Sequence, residues 1–153
     1  MLMQKQDTHS LLIKHLGFDL TESQQLAAEC MVDFLYNPEP NNCFLLMGYA
    51  GTGKTSLIAS VVKTLLALKV RVVLLAPTGR AAKVLSAYAR FPAYTIHRWI
   101  YRLRTAAGEP SRFVLNTNLL QNTIFIVDEA SMVSNHSADD SSFGSCLLYT
   151  SDA

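Results

Sequence analysis

The chain has 153 residues, of which 50% are hydrophobic, and its formal net charge is only +1, which is typical of one globular domain large enough for a core. Its three cysteines have no C-x-x-C spacing and its four histidines are scattered, so we expect neither a disulfide framework nor a structural metal site. No apolar run approaches about 18 residues and residues 1–15 show no signal-peptide pattern, so we expect no membrane partner and a cytoplasmic location.

The first predicted element is a helix over residues 21–36. Its start lies within Leu-Thr-Glu-Ser-Gln at residues 20–24, in which Thr21 is suited to cap the helix N-terminus. A loop rich in Asn and Pro is predicted over residues 37–42. Residues 1–41 are therefore expected to form a helical lead-in to the domain that follows.

Residues 43–47 read Cys-Phe-Leu-Leu-Met, a continuous apolar run that predicts a parallel strand buried on both faces. Residues 48–55 then read Gly-Tyr-Ala-Gly-Thr-Gly-Lys-Thr and match the pattern G-x-x-x-x-G-K-[ST] of phosphate-binding loops. Glycines let the backbone curl so that several N–H groups point at one anion, and the N-terminus of the following helix adds partial positive charge. A glycine-rich turn without a ligand is the alternative. The helix predicted over residues 56–68, which lack Gly and Pro, favours phosphate binding.

This loop predicts a site for ATP and Mg²⁺. Lys54 is suited to contact the β- and γ-phosphates, and the Thr55 hydroxyl is suited to ligate Mg²⁺. The residues of the loop and the first helical turn that are predicted to bind nucleotide are Gly48, Ala50, Gly51, Thr52, Gly53, Lys54, Thr55 and Ser56.

Residues 70–76 predict a second strand, which stops at Pro77 because proline cannot donate to a β-ladder. A strand, a loop, a helix and a strand in this order form a βαβ unit, so we expect an α/β fold with a parallel sheet that binds ligands at the carboxyl ends of its strands. Residues 124–127 read Ile-Phe-Ile-Val and predict another buried strand, directly before Asp128 and Glu129.

The two carboxylates after this strand are expected to face the phosphate loop. In P-loop enzymes the first carboxylate holds the Mg²⁺ shell, and the second orients or deprotonates the attacking water. We therefore predict Lys54, Asp128 and Glu129 as catalytic residues, with Thr55 and Asp128 on the metal. Without the phosphate loop, an Asp-Glu pair after a strand could equally be a turn exposed to solvent, and this is the alternative interpretation.

Positive charge is concentrated in residues 54–112, which carry eleven Lys or Arg and one acidic residue. Aromatic residues are interleaved with these bases between Tyr88 and Arg104. Such a mixture suits single-stranded nucleic acid, since cations pair with phosphates while bases stack on rings. The alternative is that the bases solvate helix faces. Trp99 is expected to be a core anchor instead of a base platform.

Three further motifs accompany the phosphate loop: Ala-Pro-Thr-Gly-Arg-Ala-Ala at residues 76–82, Tyr-Thr-Ile-His-Arg at residues 94–98 and Val-Asp-Glu-Ala-Ser-Met at residues 127–132. Over about residues 18–135, the chain resembles the RecD-like branch of superfamily 1 DNA helicases. The resemblance implies a P-loop NTPase (RecA-like) fold, here an incomplete parallel sheet flanked by helices over residues 42–145. It also implies ATP hydrolysis and 5′ to 3′ movement on DNA.

The resemblance assigns further residues. Residues 20–24 are similar to the family's Q motif, in which a glutamine contacts the adenine edge, and Gln24 occupies that position. Capping by Thr21 is the competing explanation, and both can hold. Single-stranded DNA is the implied partner, together with other helicase or nuclease subunits. The residues that the resemblance implies as DNA contacts are Pro77, Thr78, Gly79, Arg80, Thr95, His97 and Arg98.

The sequence departs from the family at its end. The family has a later strand with a Gly-Asp-x-x-Gln-type motif and a second RecA-like domain that supplies arginines to the γ-phosphate, whereas no Arg or Lys follows Arg112. We expect this chain alone not to unwind DNA and to hydrolyse ATP slowly or not at all, because an arginine finger contributes about 10³–10⁵ in rate. Residues 146–153 resemble translated adapter sequence, so we expect a non-native tail; a short strand over residues 147–150 is the alternative.

Two other functions fit parts of the pattern. A small-molecule or nucleotide kinase would share the phosphate loop, but it would need an arginine-rich lid and would not need Asp-Glu followed by Ala-Ser. A non-catalytic nucleotide-binding fragment is the second, and an exposed sheet edge would make it prone to aggregate.

Overall fold

The computed structural model describes residues 4–37, 39, 42–105 and 112–133. Helices and strands alternate through most of this part of the chain, as expected for an α/β fold. The elements are α1 (Lys5–Leu16), α2 (Glu22–Tyr36), α3 (Lys54–Ala67), β1 (Arg71–Ala76), α4 (Gly79–Ala89), β2 (Ala93–Thr95), α5 (Ile96–Ile100), β3 (Tyr101–Arg104), β4 (Arg112–Leu115), β5 (Thr123–Val127) and a 3₁₀ helix (Ala130–Met132).

The central sheet is parallel and has the strand order β2-β1-β5. Strand β1 pairs with β5 from Arg71↔Thr123 to Leu75↔Val127, and with β2 from Leu74↔Ala93 to Ala76↔Thr95. The last five residues of β1 are all buried, as expected for a central strand covered on both faces. The predicted α/β fold with a parallel sheet flanked by helices is confirmed.

One predicted strand does not form. Residues 43–47 have no assigned secondary structure and no described strand pairs with them, so the prediction of a βαβ unit that begins there is wrong. A strand exists only when a neighbour completes its ladder, and here a cavity of about 510 Å³ separates this segment from β5. Phe44 and Leu46 are half-buried while Leu45 and Met47 are exposed, so the segment still packs by one face. The parallel βαβ unit that does form is β1-α4-β2.

The helical lead-in packs directly onto α3. Helix α1, which was not predicted, ends at Gly17 in a left-handed C-cap (φ 74°). It buries Thr8, Leu12 and Leu16, which recur every four residues and so lie on one face. The core that joins the lead-in to the sheet includes Leu12, Val32, Val62, Leu65, Leu74 and Leu85. None of the described helices combines the length and apolarity that a membrane crossing requires.

A β-hairpin stands apart from the sheet. Strands β3 and β4 pair antiparallel from Tyr101↔Leu115 to Arg104↔Arg112. Leu103, Phe113 and Leu115 are exposed on it. The tail predicted to be non-native, over residues 146–153, lies outside the described residues, as do residues 106–111 and 134–145.

His15 gives the fold a pH dependence. Its Nδ1 lies 3.0 Å from Thr64 Oγ1, whose own proton is donated to the Ser60 carbonyl, so His15 Nδ1–H is the donor. Burial first, and then the charges of Lys63 and Lys14, lower the pKa of His15 from its ordinary value of 6.5. The unfolded state therefore binds more protons, so this contribution to stability is complete above pH 6.5 and is lost as the pH falls below it.

We expect the urea midpoint of unfolding to fall as the pH is lowered from about 7.5 to about 5.5, and to fall less in a His15→Gln variant. His97→Gln is the matched control, since His97 is exposed on α5. The same pH dependence in His15→Gln as in the wild type would show that other groups are responsible.

Candidate functional site

The phosphate loop joins segment 43–47 to α3, and two of its glycines adopt left-handed backbone. Gly51 has a φ of 79° and Gly53 a φ of 82°, values that residues with a Cβ rarely adopt. Thr52 Oγ1 donates to the Tyr49 carbonyl at 2.8 Å, and this bond closes the turn over residues 49–52. Gly53 is the N-cap of α3, so the partly positive helix N-terminus opens onto the loop.

Lys54 lies within the curl of the loop. Its Nζ donates to the carbonyl oxygens of Gly48 and Tyr49, each at 2.6 Å. Phosphate oxygens would be stronger acceptors for this ammonium than backbone carbonyls. Thr55 and Ser56 follow half-buried in the first turn of α3, and Ala50 is exposed in the loop. All eight predicted loop residues therefore lie in one continuous turn and helix start.

Gln24 contacts the loop from α2. Its Oε1 accepts from the Thr21 N–H at 3.0 Å, which completes a capping box with the Thr21 side chain. Its Nε2 donates to the Thr52 carbonyl at 2.9 Å. Thr21 is thus a helix cap, as predicted, and the glutamine predicted to contact adenine touches the phosphate loop in this structure.

Asp128 and Glu129 follow β5 without an intervening residue. The Asp128 N–H donates to the Leu75 carbonyl at 3.0 Å, which extends the ladder one residue past Val127. Asp128 Oδ1 accepts from the Glu129 N–H at 3.0 Å, and a carboxylate retains further lone pairs for a cation. Glu129 has a φ of 53°, which is uncommon for residues other than Gly, Asn and Asp. Unusual backbone of this kind is enriched at functional sites.

One cavity brings the phosphate loop and the two carboxylates together. Gly48, Lys54, Asp128 and Glu129 all line it, along with apolar residues of segment 43–47 and β5. Mg²⁺ prefers oxygen ligands and usually takes only one or two from the protein beside phosphate and water. The Asp128 carboxylate and the Thr55 hydroxyl have this chemistry, so the donor set fits a magnesium–nucleotide complex.

The predicted DNA-binding residues lie at the same edge of the sheet as the carboxylates. Thr78 caps α4 just after β1, with its Oγ1 accepting from the Ala81 N–H, and Thr95 caps α5 at the end of β2, accepting from the Arg98 N–H. Because Ala76 pairs with Thr95 and Leu75 pairs with Val127, both caps and Asp128 share the carboxyl edge. Arg80, His97 and Arg98 are exposed there, and Gly79 begins α4 beside half-buried Pro77.

The basic segment divides between several faces of the molecule. Arg71 begins β1 at the amino edge of the sheet, whereas Arg80 and Arg98 follow β1 and β2 at the carboxyl edge. The Arg98 guanidinium lies 5.9 Å from the centre of the Tyr94 ring, in cation–π range. Trp99 is half-buried between Tyr94 and Phe125, with ring centres at 5.4 and 6.5 Å, so it packs as the predicted anchor. Only some of the basic residues of segment 54–112 therefore form a positive surface at the carboxyl edge.

Comparison with known proteins gives the family of this chain. A family model described as an AAA domain matches residues 20–141. The chain belongs to this family. It is therefore a nucleotide-binding ATPase domain of the P-loop class, as the loop predicted. An uncharacterized protein of Acanthamoeba polyphaga mimivirus, R530, is 28% identical over 142 residues, which covers 76% of this chain and 28% of the viral protein. The chain thus spans under a third of the length of that relative.

Two contacts of this AAA domain were missed at the sequence level. The Gln24–Thr52 bond joins residues that are 28 positions apart, and no local pattern points to it. The Arg98–Tyr94 contact is local, since Tyr94 lies one residue before the Thr95 cap and Arg98 three residues after it, and this proximity could have been noticed.

Proposed function

We propose that this AAA domain is the N-terminal part of an ATP-dependent DNA helicase of the RecD-like type, which moves 5′ to 3′ along a single strand. The observation that carries the proposal is the shared carboxyl edge, where Asp128, the Thr78–Arg80 segment and the Thr95–Arg98 segment follow three neighbouring parallel strands. A change at the nucleotide can be transmitted through such adjoining loops to a strand of DNA.

In this proposal each residue at the edge has a stated task. Lys54 contacts the triphosphate, Thr55 and Asp128 hold Mg²⁺, and Glu129 orients the attacking water. The DNA backbone lies across the caps of α4 and α5, where Arg80 and Arg98 pair with phosphates and His97 is exposed beside them. The capping hydroxyls of Thr78 and Thr95 mark two helix starts whose N–H groups suit phosphate oxygens.

The rest of the motor belongs to the longer protein in this proposal. A second domain would supply the arginines that this chain lacks after Arg112, and other helicase or nuclease subunits would be its partners. We place the protein in the cytoplasm on the basis of its cysteine spacing. Contact between Gln24 and adenine remains a prediction.

The proposal is tested by single-strand binding of an Arg80→Ala variant. We expect oligo(dT) to bind more weakly and the slope of log K against log salt to decrease by about 0.7, because one phosphate contact is lost. Arg71→Ala is the matched control, since Arg71 is exposed at the opposite end of β1, about 20 Å away. An unchanged slope in Arg80→Ala, or an equal change in Arg71→Ala, would count against a DNA path along the carboxyl edge.

A further inference from the structure

Both ends of the Gln24 amide are engaged within the protein. Oε1 accepts from the Thr21 N–H at 3.0 Å, and Nε2 donates to the Thr52 carbonyl at 2.9 Å. The first bond belongs to the N-terminal cap of α2, where Gln24 is the third helical residue. The second bond leaves the helix and reaches the phosphate loop. Gln24 therefore connects the start of α2 to that loop.

The bond reaches the loop where its backbone changes direction. Thr52 precedes Gly53, which is the N-cap of α3. The left-handed backbone of Gly53 (φ 82°) turns the chain into the helix, which begins at Lys54. A Cβ built on Gly53 would lie 3.0 Å from Gln24 Nε2, so the amide is in close contact with this turn. The Thr52 side chain holds the other side of the turn through its bond to Tyr49. Loss of the Gln24 bond would leave the turn held from one side.

We propose that Gln24 is a positioning residue that keeps the phosphate loop in the shape that accepts a triphosphate, whatever base is attached. The proposal rests on the proposed function to the extent that the loop binds a triphosphate. The physical reason is that the Gln24 amide bonds to the backbone that precedes Lys54, so its effect reaches the phosphates through the loop. A glutamine that only contacted adenine would affect one base and leave the loop unchanged.

The first test compares three ligands: ATP, GTP and inorganic tripolyphosphate, which has no base. For Gln24→Ala we expect Kd to rise about threefold to tenfold for all three, the effect of one lost hydrogen bond. Gln25→Ala is the matched control, because the Gln25 amide bonds to Glu29 on the exposed face of the same helix. A loss confined to ATP, with GTP and tripolyphosphate binding as in the wild type, would overturn the proposal.

The second test needs no ligand. In Gln24→Glu a carboxylate can still accept from the Thr21 N–H, so the capping box is kept, but it cannot donate to the Thr52 carbonyl. We expect the backbone amide of Leu57, which donates to the Gly53 carbonyl at 2.9 Å, to exchange with deuterium at least about threefold faster, while the melting temperature and the exchange of α2 stay as in the wild type.

The two tests separate the two hypotheses. Unchanged exchange of the Leu57 amide in Gln24→Glu would overturn the positioning role. If the wild type binds none of the three ligands, the proposed ATP-dependent function fails, and the exchange measurement still decides whether Gln24 holds the loop.

Discussion

Replacing Lys54 with alanine is expected to raise the Kd of this chain for ATP by about tenfold to a hundredfold. The variant removes an ammonium that would make charge-assisted hydrogen bonds to the β- and γ-phosphates, each of which contributes about 1.5–3 kcal/mol. Within the described part of the chain, this ammonium bonds to the Gly48 and Tyr49 carbonyls, which lie in the exposed part of the loop and can be hydrated by water instead. The loss should therefore appear in binding and leave folding stability nearly unchanged.

The measurement is equilibrium binding of a fluorescent ATP analogue, with the melting temperature of each variant as a check on folding. Lys63→Ala is the matched control, because it removes the same charge from the same helix nine residues further on, about 13 Å along its axis. Equal affinity of Lys54→Ala and the wild type would reject the loop as a nucleotide site. A similar loss in Lys63→Ala would show that the effect is one of net charge.

Asp128→Asn and Glu129→Gln are expected to have different effects, although the two residues are adjacent. Asp128→Asn should lose the part of ATP affinity that depends on Mg²⁺ and keep the affinity measured in EDTA, because an amide is a much poorer ligand for a hard cation than a carboxylate. Glu129→Gln should keep Mg²⁺-dependent binding and reduce hydrolysis by about 10²–10⁴, the usual contribution of general base catalysis. Hydrolysis by the wild-type chain is itself expected to be slow.

Single-turnover hydrolysis at saturating protein, together with binding titrations with and without Mg²⁺, distinguishes the two roles. Loss of Mg²⁺-dependent binding in Glu129→Gln would exchange the assignments of the two carboxylates. Retention of Mg²⁺-dependent binding in both variants would remove Asp128 from the metal site. Both substitutions preserve side-chain volume. In Asp128→Asn the side-chain amide oxygen can still accept the hydrogen bond from the Glu129 N–H.

The local features of the fold could be predicted from the sequence. Helix α3 begins two residues earlier than predicted and β5 one residue earlier, while β1 begins one residue later. These elements are specified by continuous apolar runs and by helix formers, whose effect is exerted within a few residues. Helices α1, α4 and α5 and strands β2 and β3 were not predicted; the two strands are only three and four residues long, and β3 is exposed along most of its length.

The strand predicted over residues 43–47 shows where such prediction fails. Its apolar composition is as favourable as that of β5. Of these two segments, however, β5 alone pairs with β1. Strand propensity describes how well a residue fits a pleated, half-buried surface, and it does not supply the neighbouring strand. The partner of a strand comes from distant sequence, so this choice belongs to the tertiary structure.

The sequence by itself determined the chemistry of this protein: the glycine pattern that curls the loop, Lys54 and Thr55 at the start of α3, and two carboxylates after an apolar strand. Each of these follows from residue types at short spacing, because backbone curl and helix start are local properties. Tertiary structure alone decided which distant residues share an edge. The β1 register places Arg80, Arg98 and Asp128 at one edge and Arg71 at the other, and the packing of α2 places Gln24 on Thr52. Contacts of this kind depend on strand pairing and helix packing over tens of residues, which no local pattern encodes.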